Sequence, residues 1–86
     1  MDRCYVLGTI WATRKVAELE GFKMVLLAVK DYTLKNTSKL VVAVDILDVS
    51  PGDDVLITYG SGARNVLGNQ ELPIDAVVAG IVSEEV

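Results

Sequence analysis

The sequence predicts an all-β fold, a small closed barrel of five short strands. Three observations carry that expectation. Runs rich in Val, Ile, Leu, Tyr and Thr, the residues that suit a pleated sheet, recur at short spacing. Turn chemistry punctuates them, most clearly at Ser50-Pro51-Gly52-Asp53, where proline presets φ and glycine accepts positive φ. The 86 residues make one domain, residues 1–86, with no room for a second.

The elements follow in order. Cys4–Thr13 reads as the first strand, and the mixed charges of Val16–Gly21 interrupt it. Phe22–Asp31 resumes a strand-like run, although its apolar stretch also suits a buried helix. Thr33–Lys39 is polar and reads as a loop, Leu40–Val49 as the third strand and Asp54–Tyr59 as the fourth. Gly60–Leu67 suits a single short helical turn. Ile74–Val82, opened by Pro73, is the fifth strand, and Ser83–Val86 is an acidic tail expected to fray.

The faces of the strands carry the first functional clue. A barrel strand with one wet face alternates apolar and polar residues. In the first strand Cys4, Val6, Gly8, Ile10 and Ala12 form one face, and Tyr5, Leu7, Thr9, Trp11 and Thr13 the other; both are largely apolar. The last strand behaves likewise, with Ala76, Val78, Gly80 and Val82 opposed to Val77, Ala79 and Ile81. Strands apolar on both faces are covered on both. The second cover comes either from a neighbouring copy or from Val16–Gly21 and Gly60–Gln70 folding over the barrel. Composition favours the neighbour: 51% of the residues are apolar and the mean hydropathy is positive, more than one small core needs.

Composition also narrows the chemistry. The absence of histidine removes the commonest general base and zinc ligand. The single cysteine, Cys4, cannot form an internal disulfide and reads as a small buried hydrophobe. No catalytic apparatus, cofactor or metal is expected. Asp45, Asp48, Asp53 and Asp54 read as solvated loop residues rather than as a hard-cation site. The net charge of −4, with scattered basic residues, disfavours nucleic acid. The apolar runs Met24–Val29, Leu40–Val44 and Ala76–Val82 are far short of the roughly 20 residues a membrane helix needs. The start, Met-Asp-Arg-Cys-Tyr, does not resemble a signal peptide, so a cytosolic location is expected.

Two local patterns remain. One is Gly8–Lys15 followed by Leu19-Glu20-Gly21-Phe22-Lys23. The other is Gly60-Ser61-Gly62-Ala63-Arg64 followed by Pro73–Val82. Gly60–Arg64 offers backbone N–H groups to an anion, but it matches neither the P-loop nor the dinucleotide fingerprint. Its bland reading is a tight turn with Ser61 facing solvent.

Together with Val44-Asp45, Gly52-Asp53 and the strand Val55–Thr58, these patterns in this order resemble the pentameric vertex family of bacterial microcompartment shells, the EutN/CcmL type. The resemblance covers nearly the whole chain except Thr33–Lys39 and the acidic tail. It implies an oligonucleotide/oligosaccharide-binding-type barrel assembled as a cyclic homo-pentamer, a structural role at shell vertices beside hexameric shell proteins, and no enzymatic activity. It places Gly60, Ser61 and Gly62 near the axis as candidate pore-lining residues, and Arg64 at a subunit contact. Gly62 stands where the family often carries a second serine. Trp11 replaces a smaller aliphatic residue and is a further candidate contact. The rival reading is a barrel that binds nucleic acid or a small ligand, which requires aromatic platforms in a basic groove. Tyr5, Trp11, Phe22, Tyr32 and Tyr59 are dispersed along an acidic chain.

Overall fold

The computed structural model describes residues 1–12, 14–30 and 39–83. Most of the expected loop Thr33–Lys39, the strand ends at Thr13 and Asp31, and most of the acidic tail lie outside the described residues. The element order is β1 (Asp2–Ile10), β2 (Lys23–Val29), β3 (Leu40–Asp45), β4 (Asp54–Tyr59), α1 (Gly60–Leu67) and β5 (Ala76–Ile81), with a 3₁₀ turn at Ala17–Leu19. The strands close in the order β1-β2-β3-β5-β4, and β4 pairs back with β1. All pairings are antiparallel except β3 with β5, which meet in parallel at Val44 and Val77. The strand-like run that starts at Phe22 resolves as β2, Lys23–Val29; its alternation of buried Val25 and Leu27 with half-buried neighbours is that of a sheet.

Cys4, Val6, Val25, Leu27, Ala43, Val55, Ile57, Ala76 and Val78 fill the barrel interior, joined by Val49 from the β3–β4 connection. A second apolar cluster lies outside the wall. There Ala63 of α1 and Ile74 cover Val44 and Val77, with Leu19, Phe22, Met24, Leu67 and Leu72 around them. On β5 the inner cluster buries Ala76 and Val78 and the outer one buries Val77, while Ala79 and Ile81 stay exposed. The covering by Gly60–Gln70 weighed above therefore holds for Val77 of β5. It does not hold for β1, whose Tyr5 and Leu7 stay exposed.

Two strands depart from expectation, each for a physical reason. The expected alternation of β1 breaks at Leu7, where a β-bulge sets Val6 opposite Leu27 but Gly8 opposite Leu26. Beyond the bulge Thr9 lies opposite the buried Val25, and Ile10 opposite Met24 of the outer cluster. Thr9 thus moves to the inner face and Ile10 to the outer one, the reverse of the simple pattern. The third strand stops at Asp45, because that side chain takes over the backbone N–H groups of Leu47 and Val49, both at 2.8 Å. The chain then turns through Asp48 at φ 60° and the Pro51-Gly52 turn, closed by Asp53 N–H to Ser50 O at 3.0 Å with Gly52 at φ 94°.

The helical segment is longer than a single turn. Gly68, at φ 77°, ends it: its N–H reaches Asn65 O and the Asn69 N–H reaches Arg64 O, both at 3.1 Å, in a Schellman motif. Among the described residues no helix is long and apolar enough to cross a membrane.

Candidate assembly surface and the Gly60–Arg64 segment

Gly60–Arg64 opens α1 directly after β4. Gly60 turns the chain at φ 59°, a conformation that glycine adopts without a steric penalty, and its N–H donates to Asp75 O at 2.8 Å. Ser61 and Gly62 face solvent on the first turn, Gly60 is half-buried, and Ala63 turns inward and is fully buried. Gln70, unremarked in the sequence, donates from Nε2 to Ser61 O at 3.0 Å and ties the start of the helix to the segment after it. Arg64 reaches back along the chain. Its Nη1 donates to Ile74 O at 3.2 Å and to Asp75 Oδ1 at 3.1 Å, bracing α1 against the lead into β5. Within one copy Arg64 is thus paired, with 23% of its side chain still exposed.

Trp11, just past β1, is 86% exposed and lies far from Gly60–Arg64 in the sequence. It belongs to a wider set of uncovered apolar side chains: Tyr5 and Leu7 on β1, Leu56 on β4, and Leu40 and Val42 on β3. Between β3 and the Pro73–Ala76 segment lies a half-open apolar cleft of about 170 Å³, lined by Leu19, Met24, Val42 to Val44 and Pro73 to Ala76.

The sequence matches the family described as ethanolamine utilisation protein EutN/carboxysome over residues 1–83. The chain belongs to the EutN/CcmL family. It is 42% identical over 84 residues to the carboxysome shell vertex protein CcmL of Nostoc sp., covering 95% of this chain and 82% of that protein. Among solved structures, CcmL of Gloeobacter violaceus superposes with a TM-score of 0.86 at 33% identity, over 100% of this chain and 90% of that one. The pentameric microcompartment shell protein GrpN of Rhodospirillum rubrum does so with a TM-score of 0.82 at 33% identity, over the whole of both chains.

In this EutN/CcmL chain the aspartates singled out by sequence serve separate structural ends. Asp45 is not solvated: its side chain is fully buried, holds the two N–H groups of the β3–β4 turn, and sits 3.3 Å from Lys23 Nζ. Asp48, exposed, takes the same ammonium at 3.1 Å, and these bonds raise the Lys23 pKa, with Asp48 as the largest cause. Asp53 Oδ2 accepts from the Ser50 N–H at 2.8 Å. Asp54 accepts from Arg3 Nε at 3.0 Å and from Lys30 Nζ at 2.9 Å, and these two cations, Arg3 foremost, hold its carboxyl down at about 2.

Two further groups are perturbed by burial. The Cys4 thiol, sealed in the barrel near Asp2 and Asp54, is pushed up to about 11. The Tyr59 hydroxyl is pushed above its ordinary range by burial and by its donation to Asp2 Oδ2 at 2.8 Å. Neither group is poised to react near neutral pH. Of the aromatics, Phe22 packs in the outer cluster and Tyr59 against the inner core, which leaves Tyr5 and Trp11 at the surface among the described residues. That arrangement offers apolar area for a protein contact and no run of stacking platforms.

Proposed function

We propose that this chain is a structural shell subunit that closes the vertices of a bacterial microcompartment as a homo-pentamer, within the bacterial cytoplasm. The observation that carries the reading is the whole-length correspondence with pentameric GrpN, 33% identical over all of both chains. The distribution of side chains supports it. Asp45, Asp53 and Asp54 are engaged in holding the fold, and apolar side chains stay exposed on β1, β3 and β4. A sheet of hexagonal tiles closes into a polyhedron only when pentagonal units occupy its corners. A small ring without an active site suits that geometric task.

In this reading α1 points its first turn toward the ring axis, with Gly60, Ser61 and Gly62 lining a narrow channel. Arg64 and Trp11 contribute to subunit contacts. Hexameric shell proteins are the partners at the rim. Several rim edges engage at once, so contacts that are individually modest make a stable corner through avidity, and charge and shape at the rim set the choice of partner.

The test is electron microscopy of a strain lacking the protein. The expected result is elongated or unsealed compartments with the enclosed enzymes still intrinsically active. Closed, regular compartments in a strain that encodes no second vertex protein would refute the reading.

A further inference from the structure

We propose that the outward edge of β3, from Leu40 to Val42, docks an extended apolar segment of a different protein, which pairs with it as an added strand and seats one side chain in the cleft beside Val42. The proposal goes beyond the shell role above and does not depend on the number of copies in the ring.

Hydrogen-bond phase identifies the edge. The Val29 N–H donates to Lys39 O at 2.9 Å, and β2 and β3 run on from there in antiparallel register. Bonded residues alternate along such a ladder. Lys39, Val41, Ala43 and Asp45 therefore turn their backbone groups toward β2, and Leu40, Val42 and Val44 turn theirs away. Val44 meets β5 at Val77, the one pair of that parallel ladder. Continued in the same register, the ladder would set Asp75 beside Val42 and bring the Val42 N–H to Ile74 O. That carbonyl accepts from Arg64 Nη1 at 3.2 Å instead. Among the described residues no backbone partner meets the Val42 N–H or either group of Leu40.

The occupant follows from what stands open. It is backbone, donors and acceptors two residues apart along a strand, and an extended chain laid about 4.8 Å away satisfies them. The side chains suit the same guest. Leu40 is 57% exposed and Val42 50%, so apolar residues of the segment that share their face cover them. The cleft of about 170 Å³ opens on this edge, lined by Met24, Val42, Val44, Pro73 and Ile74 among others. An apolar cavity of about 150 Å³ holds a benzene-sized group, which is the size of a leucine or phenylalanine side chain. Lys39, exposed at the start of the edge, favours a carboxylate at that end of the segment. A short edge guarded by lysine resists indiscriminate pairing, so the match of charge and cleft sets the choice of partner.

The experiment follows the backbone amides of the full chain by NMR while acetylated pentapeptides are added, each carrying a glutamate at one end and Val, Leu, Ile or Phe at alternate positions. The expected result is that at least one binds with a dissociation constant below about 1 mM, moves the Leu40 and Val42 amide signals and slows their hydrogen exchange. N-methylation of its edge-facing amides should weaken binding about tenfold, the loss of one or two hydrogen bonds. Val42→Pro should do the same, since it removes the outward N–H and leaves the bonds of Val41 and Ala43 to β2 in place. If that variant does not fold, the N-methyl comparison decides alone. Binding that N-methylation leaves unchanged would show side-chain capture without an added strand and overturn the proposal. So would a peptide set that moves neither amide. Slow exchange of both amides in the free protein would overturn it as well, because a neighbouring copy would already hold the edge.

Discussion

The hydroxyl oxygen of Thr58 stands 2.8 Å from the point where a Cβ on Gly62 would lie. The last turn of β4 and the first turn of α1 approach so closely that residue 62 carries no side chain unless Thr58 gives way. Two effects of Gly62→Ala then compete. Replacing a helical glycine favours the fold by about 0.5–1 kcal/mol. Forcing a methyl against Thr58 costs about 1–3 kcal/mol. The steric term is the larger, so Gly62→Ala should lower stability, whereas in a Thr58→Ala background the same change should raise it. A double-mutant cycle by chemical denaturation at fixed protomer concentration measures this, with an expected coupling of at least about 1 kcal/mol. Additive effects would mean that the two residues do not share this space. The contact also gives a steric reason for glycine at a position where the family often carries serine.

Arg64 should matter more than its acidic partner. Asp75 is almost fully exposed, so its share of the ion pair is screened and Asp75→Ala should change stability by no more than about 0.5 kcal/mol. Arg64→Ala also removes the bond to Ile74 O, and should cost about 1–2 kcal/mol. Dilution series in native mass spectrometry separate this bracing from a contact between copies. If Arg64 reaches the neighbour as well, Arg64→Ala shifts ring dissociation to higher protein concentration; if it braces only its own copy, dissociation stays where it was.

What the sequence made legible follows from which signals are local. The Pro51-Gly52 turn, the strand Asp54–Tyr59 and the buried Cys4 depend on residue type and near neighbours, and all are found where expected. The bulge at Leu7 depends on the register with β2, which no periodicity within β1 reveals, and it reversed the faces of Thr9 and Ile10. For Val77 the sequence leaves open whether a neighbouring copy or Gly60–Gln70 supplies the cover, and α1 lies across it. In the Gly60–Arg64 segment, the glycine-rich start and the reach of Arg64 were visible. The Gln70 bond to Ser61 O and the Thr58 contact with residue 62 were not, because both partners come from outside the motif.

Asp45 should be the least replaceable carboxylate. It is fully buried, accepts two backbone N–H groups and stands beside Lys23. Asp45→Ala leaves both N–H groups without their acceptor, while Lys23 keeps Asp48 and Val49 O, so the loss should be about 2–6 kcal/mol, the cost of two unsatisfied buried donors. Asp45→Asn retains one acceptor and turns an NH₂ group toward the remaining N–H, so its loss should be smaller but still above 1 kcal/mol, roughly the cost of one unsatisfied buried donor. Thermal unfolding of the two variants should rank them in that order. Equal losses would argue that the charge, rather than the acceptor geometry, holds the turn.

The pH profile should fall at both ends for different reasons. Asp54 is held at about 2 in the folded chain against 3.8 for the free group. Its lowered value contributes stability that is fully present above about pH 4 and is lost as pH falls toward 2, roughly 2 kcal/mol at full extent. Cys4 and Tyr59 are raised, so their contribution is intact below about pH 9 and is lost as pH rises from 9 through 11 and beyond. Asp54→Asn should lower stability at neutral pH and flatten the acid limb. Tyr59→Phe should soften the alkaline limb and leave the acid limb unchanged. Denaturation midpoints taken across pH 2 to 11 check both signs.

Trp11 is the only tryptophan of the chain and is 86% exposed in a single copy, so its fluorescence reports directly on assembly. An indole in water emits to the red and is open to quenching by acrylamide; one packed against a neighbour shifts to the blue and is shielded. Tryptophan is also among the residues that most often anchor protein contacts, with truncation costs of about 2 kcal/mol or more at such positions. If Trp11 lies between copies, emission should move to the blue and quenching should fall as protein concentration rises through ring formation. Trp11→Ala should then raise the dissociation constant of each contact by at least about tenfold, since every 1.4 kcal/mol is a factor of ten. Because the residue is solvated in the single copy, the monomer of that variant should unfold at the parent's midpoint, which separates a contact role from a folding role. An emission spectrum that stays constant across the transition would place Trp11 away from the contact between copies, on a surface left free for the shell around the ring.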